Sequence, residues 1–204
     1  WFLGKRYADL SGLLKHMKRT MQSGRGFQYQ MAGLPQSTVA SSCQFCVQLH
    51  ELAFLTQYNY QRSPKYIIYA SPSTAPAAQK FLGGHWLERY VAKSLREAYG
   101  EKLHLLMNPQ IVMPNGDDFE LDVLAVDESM RPLWIEAKTG DYQSHVAKYS
   151  KAAKLLGVPA SRSIMILPDV PDDKCLALSG LFNMTVVNMP LWDACLERLA
   201  AQSD

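Results

Sequence analysis

No apolar run in this sequence approaches the roughly 18 to 20 residues that a membrane-spanning helix requires, so no membrane span is expected. No charged-then-apolar leader with a small-residue cleavage site is seen, so secretion is not expected and the cytoplasm is the expected compartment. Cysteine is scarce, with four in 204 residues and one C-x-x-C pair, Cys43 and Cys46. A structural zinc site needs a second pair, or histidines at ligand spacing. His50 lies close by, but Cys43, Cys46 and His50 fall at i, i+3 and i+7 of an expected helix, the spacing of a packed helical face. Cys175 and Cys195 read as free buried thiols. No internal repeat is visible. An initiator methionine is also lacking: the chain opens Trp1-Phe2-Leu3, as expected of a processed protein or a piece of a longer one.

Net charge is nearly absent at +2, but it is unevenly spread. Residues 1–80 hold nine Lys+Arg against two Asp+Glu, and residues 81–204 hold twelve against seventeen. A basic part beside an acidic part points to two modules with different work. With 48% hydrophobic residues there is ample material for a core, which excludes wholesale disorder.

Residues 5–22 place Leu10, Leu13, Leu14, Met17 and Met21 at helical spacing. A short strand is expected near Phe27–Met31. A second helix is expected over 37–55, with Ser37 or Thr38 as N-cap. Aromatic and β-branched residues then flank Arg62-Ser63-Pro64, which predicts a hairpin with Arg62 and Lys65 at its tip. Helix, helix, hairpin is the order of a winged-helix-like module, assigned to residues 1–76, and its basic tip suits nucleic acid or a partner protein. The stretch 71–78, SPSTAPAA, reads as a linker. Residues 77–204 give α-β-β-β-α-β-(α)-β-α, with a turn at Asn115-Gly116-Asp117 and another at 127–131. This is an α/β (α+β) fold with a mixed central sheet between helices.

Along Pro132–Lys138, period two places Trp134, Glu136 and Lys138 on one face and Leu133, Ile135 and Ala137 on the other. A core does not need a carboxylate and an ammonium aimed into the same space. In the preceding strand Asp122 interrupts the apolar run LDVLAV, and a buried Asp needs a partner or a cation. The hairpin brings Asp122 beside Glu136, and two carboxylates held together share a proton or a divalent metal. Oxygen ligands suit Mg²⁺ or Mn²⁺, with the main-chain carbonyl of Ala137 as a further donor. Lys138 is placed to orient a water or to stabilise a pentacovalent phosphate, which is equipment for phosphodiester hydrolysis. Glu88, in the helix beginning near residue 84, supplies a third carboxylate.

Asp122 followed by Glu136-Ala137-Lys138, with an acidic helix upstream, resembles the PD-(D/E)xK nuclease superfamily, whose restriction-endonuclease-like core is α-β-β-β-α-β. Gly84-His85-Trp86-Leu87-Glu88, Glu120-Leu121-Asp122-Val123 and Ile135-Glu136-Ala137-Lys138-Thr139 are similar to the nuclease domain of the CRISPR-associated ancillary nucleases. That resemblance covers roughly residues 80–170. It implies catalytic residues Glu88, Asp122, Glu136 and Lys138, and a metal held by Glu88, Asp122, Glu136 and Ala137. It implies Mg²⁺ or Mn²⁺ as cofactor, a homodimer, antiviral defence, and cleavage of DNA or RNA controlled by a cyclic oligoadenylate on an upstream CARF sensor domain that this sequence does not contain. Leu121 stands where the superfamily's name has Pro. On the helix after E-x-K, Gln143 and Lys148 are the candidates for phosphate or water contact. The alternative is a catalytically silent nuclease-like module for nucleic-acid binding or assembly, in which Asp122, Glu136 and Lys138 form a structural ion cluster.

Overall fold

A computed structural model describes residues 1–113, 116 and 118–201. The chain divides into two compact units, Trp1–Trp86 and Leu87–Asp204.

In the first unit α1 (Phe2–Lys5) leads into α2 (Tyr7–Thr20), which buries the expected stripe of Leu10, Leu13, Leu14 and Met17. Then come β1 (Phe27–Gln30), α3 (Gln36–Glu51), β2 (Leu55–Gln61) and β3 (Ile67–Pro72). The three strands form an antiparallel sheet in the order β1-β3-β2. Arg62 and Lys65 sit in the exposed turn between β2 and β3, where the Lys65 N–H donates to the Arg62 carbonyl (3.1 Å). Helix α3 starts without a side-chain cap. The Ser37 and Thr38 hydroxyls, expected to cap it, donate with Ser41 to the Asp9 carboxylate instead (3.4, 2.7 and 3.2 Å), tying α3 to α2. Cys46 is buried, and the His50 Nδ1 donates to the Leu55 carbonyl (3.0 Å). Residues 71–78 hold the end of β3 and the start of α4 (Pro76–Lys80), so this stretch is structured rather than a plain linker. Pro76 opens α4, where its missing N–H has no intrahelical partner to lose.

In the second unit α5 (Trp86–Tyr99, its first residue belonging to the first unit) buries Leu87, Tyr90, Val91 and Leu95. It is followed by β4 (Leu103–Met107), β5 (Gln110–Val112), β6 (Asp118–Glu120), β7 (Val123–Asp127), β8 (Pro132–Ala137) and α6 (Gln143–Leu155). Strand β9 (Ser163–Ile166), α7 (Asp172–Phe182), β10 (Thr185–Val187) and α8 (Met189–Ala201) complete it. The mixed five-stranded sheet runs β10-β9-β8-β7-β4. Strands β4, β7 and β8 pair antiparallel, and β8, β9 and β10 pair parallel. Parallel neighbours need crossovers, which α6 and α7 supply. On one face Trp134, Met165 and Val186 join Phe119, Val146 and Tyr149 in a core cluster. Phe119, Trp134 and Tyr149 meet edge to face with ring centroids 5.7 to 6.0 Å apart. Such pairs add roughly 0.5 to 1.5 kcal/mol beyond area burial.

The two strands expected over 103–113 and 119–126 are each broken. Their outer halves, β5 and β6, form a separate two-stranded ribbon. The first break falls at Asn108-Pro109, where Asn108 is left-handed (φ 52°) and Pro109 has no N–H to donate. The second falls at Leu121-Asp122, so Asp122 lies in a bend rather than inside a strand. Asn115 and Asp117 of the expected turn lie outside the described residues. Among the described residues no helix is long and apolar enough to cross a membrane.

Candidate active site

The break before β7 gives Asp122 its role. Out of the ladder, its main-chain N–H donates to Oε1 of Glu136 (3.1 Å), and its carbonyl accepts from the Asn108 N–H (3.1 Å). Its carboxylate turns toward the end of β8. Oδ2 accepts from the Ala137 N–H (2.8 Å), and the Lys138 ammonium donates to Oδ2 at 3.0 Å and Oδ1 at 3.3 Å.

Glu136 is 0% exposed. Its Oε1 accepts from the Trp134 indole N–H (2.8 Å). Its Oε2 lies 3.2 Å from the Lys138 ammonium as an ion pair, with no hydrogen bond of good geometry. Lys138 therefore stands between both carboxylates, with Nζ also 5.3 Å from the centroid of the Tyr149 ring. Burial first, and the neighbouring Asp122 second, push the Glu136 carboxyl up to about 8, against the pull of Lys138, the Asp122 N–H and Trp134. Burial disfavours the charged Lys138, but Glu136 and Asp122 outweigh it and hold the ammonium above the usual lysine range.

Three of the four expected catalytic residues are thus brought together by β7 and β8. Glu88, buried in the first turn of α5, accepts from the Asn108 amide (3.0 Å). Asn108 is the residue that motif reasoning missed: its backbone holds Asp122 and its side chain holds Glu88. The Asn-Pro dipeptide is a turn signal that pointed to it. Gln143 opens α6 and lines the cavity that Lys138 borders. Lys148 is directed elsewhere, its ammonium 4.7 Å from the Phe119 ring centroid, and it lines a separate cavity of about 360 Å³. Arg62 and Lys65 belong to the first unit.

Among the described residues, no three His, Cys, Asp or Glu side chains are gathered into a ligand set. The Asp122–Glu136 pair still suits a hard cation. It offers two carboxylates, one with a buried oxygen that meets only an ammonium. Mg²⁺ in particular is commonly held by one or two carboxylates, with waters and substrate phosphate completing its shell.

No protein-family model and no curated protein matches the chain. Its fold is shared with solved structures. Can2 from Sulfobacillus thermosulfidooxidans, in complex with cyclic tetra-adenylate, is 15% identical with a TM-score of 0.65, covering 97% of this chain and 54% of that one. Protein VC1899 from Vibrio cholerae is 17% identical with a TM-score of 0.62, covering 98% of this chain and 54% of that one. The chain spans about half the length of either protein, and at such identity the likeness is one of fold.

Proposed function

We propose that the chain is the effector portion of a CRISPR-type defence protein, a metal-dependent nuclease hydrolysing phosphodiester bonds of DNA or RNA. The observation that carries this reading is the cluster of Asp122, Glu136 and Lys138, gathered where β7 begins and β8 ends in a mixed sheet. With the β5–β6 ribbon set aside as an insertion between β4 and β7, the elements α5, β4, β7, β8, α6 and β9 follow the α-β-β-β-α-β order of a restriction-endonuclease-like core. In the first unit, α2 and α3 followed by the β2–β3 hairpin have the order of a winged-helix-like module. The shared fold with Can2, solved with a cyclic oligoadenylate, supports the defence setting.

Asp122 and Glu136, with the Ala137 carbonyl and Glu88, would hold Mg²⁺ or Mn²⁺. Such an ion supplies Lewis-acid chemistry and hydroxide near neutral pH. Trp134 and the Asp122 N–H fix the Glu136 carboxylate, and the Ala137 N–H fixes that of Asp122. Lys138 donates to the phosphate oxygens as negative charge builds in the transition state. Gln143 is the proposed backbone contact beside the site; Lys148, on its separate cavity, and Arg62 and Lys65, in the first unit, are proposed as contacts with more distant parts of a nucleic-acid strand, and the acting species is a homodimer.

Labelled single- and double-stranded DNA and RNA, incubated with Mn²⁺, Mg²⁺ or EDTA, test the reading. Cleavage is expected with either metal and absent in EDTA. Glu136→Ala is expected to lose at least about a thousandfold in rate, about 4 kcal/mol of barrier, while still melting cooperatively. Cutting that survives in EDTA, or in that variant, refutes the mechanism. A structural ion cluster predicts instead that no metal binds by calorimetry. If the chain alone is inert, the longer protein with a cyclic oligoadenylate decides.

A further inference from the structure

A cavity of about 300 Å³ opens beside Lys138. Its walls include Tyr142, Val170 and Pro171, and its polar edge is formed by Gln143 and Lys174. The Tyr142 hydroxyl is buried, with the Lys174 ammonium as a neighbour but no hydrogen bond of good geometry. That ammonium lies 5.6 Å from the Tyr142 ring centroid. Gly140 also lines the cavity, and nothing stands within 4 Å of where a Cβ would be, so the space at this residue is open.

We propose that this cavity is the slot for the nucleobase adjoining the phosphodiester that is cut, an inference that rests on the hydrolytic reading above. The same lysine that would meet the phosphate borders the slot, so a nucleotide attached to that phosphate has it within reach. A nucleobase has two apolar faces and a hydrogen-bonding edge. Tyr142 offers an aromatic face, Val170 and Pro171 offer aliphatic ones, and Gln143 and Lys174 offer donors to the edge. The volume is at the small end of ligand sites and suits one base rather than two. Tyr142, Gln143 and Lys174 then determine which base is tolerated beside the cut.

The test uses an oligonucleotide with a single cut site and an abasic residue placed in turn at each flanking position, cleaved by the chain with Mn²⁺. For the unmodified protein, one abasic position is expected to lower kcat/KM about tenfold, the size of a lost base–aromatic stack. Gly140→Phe fills the slot from its open side, and Tyr142→Ala removes the stacking face. Each is expected to cut the intact oligonucleotide about tenfold more slowly and to show no further loss at the abasic position. Melting curves establish that both variants fold, and either one suffices. Equal rates on every abasic substrate, or Gly140→Phe cutting at the unmodified rate, overturn the slot while leaving hydrolysis standing. If neither the chain nor the longer protein given a cyclic oligoadenylate cuts nucleic acid under any metal condition, the hydrolytic reading falls, and the slot with it.

Discussion

At Asn108 a left-handed backbone (φ 52°) directs the main-chain N–H to the Asp122 carbonyl, while the side-chain amide reaches Glu88. A single residue thereby couples two carboxylates from different elements. Asn108→Gly keeps this φ accessible and deletes only the amide. Cleavage is expected to fall 10- to 100-fold, the usual cost of losing a group that orients a ligand, with the melting temperature little changed. An unaltered rate would mean that Glu88 takes no part. The sequence made Glu136 and Lys138 legible because period two along β8 is a local property. Period two also put Trp134 on the face of Glu136, but periodicity tells only which face a side chain takes, not that its indole N–H donates to that carboxylate. Asn108 was hidden for a related reason: its partners lie 20 residues before it and 14 after it.

Among the elements, the β7–β8 hairpin decides how accurately Asp122 faces Glu136, and it is anchored at its turn by Asp127. The Asp127 carboxylate accepts from the Arg131 N–H (2.9 Å), the Arg131 side chain (2.9 Å) and the buried Arg162 (3.0 Å). Burial alone would raise this carboxyl, but the Arg131 N–H, the Arg162 guanidinium and the Arg131 side chain outweigh it and hold the group below the usual carboxylate range. A depressed folded value means that this stability is present above the unfolded pKa of about 3.9 and is lost as pH falls below it. Asp127→Asn strands Arg162 and is expected to cost about 3 kcal/mol near neutrality. Its deficit against the unmodified chain should shrink on acidification below pH 4. Urea midpoints for the two proteins across pH 3 to 7 measure this, and a constant gap would refute it. The meander, the turn at 127–131 and the crossovers were legible from turn residues and apolar periodicity. The break at Leu121-Asp122 was not, because each side of it keeps strand-like composition; the break at Asn108-Pro109 left only the Asn-Pro turn signal within a strand-like stretch. The stretch 71–78 misled in the opposite direction: a Pro/Ser/Ala-rich composition marks loops, yet Pro also opens helices, as it does at Pro76.

On the scale of the whole molecule, the basic residues 1–80 lie within the first unit and the acidic cluster lies in the second. The acidic balance of the second part includes Glu88, Asp122 and Glu136, which a divalent ion would offset where phosphate must sit. The architecture is shared with proteins about twice this length, so control of the site belongs to the longer molecule in the proposed reading. The placement of Lys138 has a consequence for order of assembly. The chain carries its own counter-ion: an ammonium already spans the two carboxylates that would otherwise repel. In the proposed reading, folding therefore does not wait for the ion. EDTA is expected to leave the melting temperature within about a degree, and added Mn²⁺ to raise it only by mass action, about 2.7 kcal/mol at a hundred times Kd. In Lys138→Met the internal counter-ion is gone, and a chelator should then lower the melting temperature by several degrees. In the proposed reading, a protein built this way folds unarmed and takes up its ion only at the moment of use.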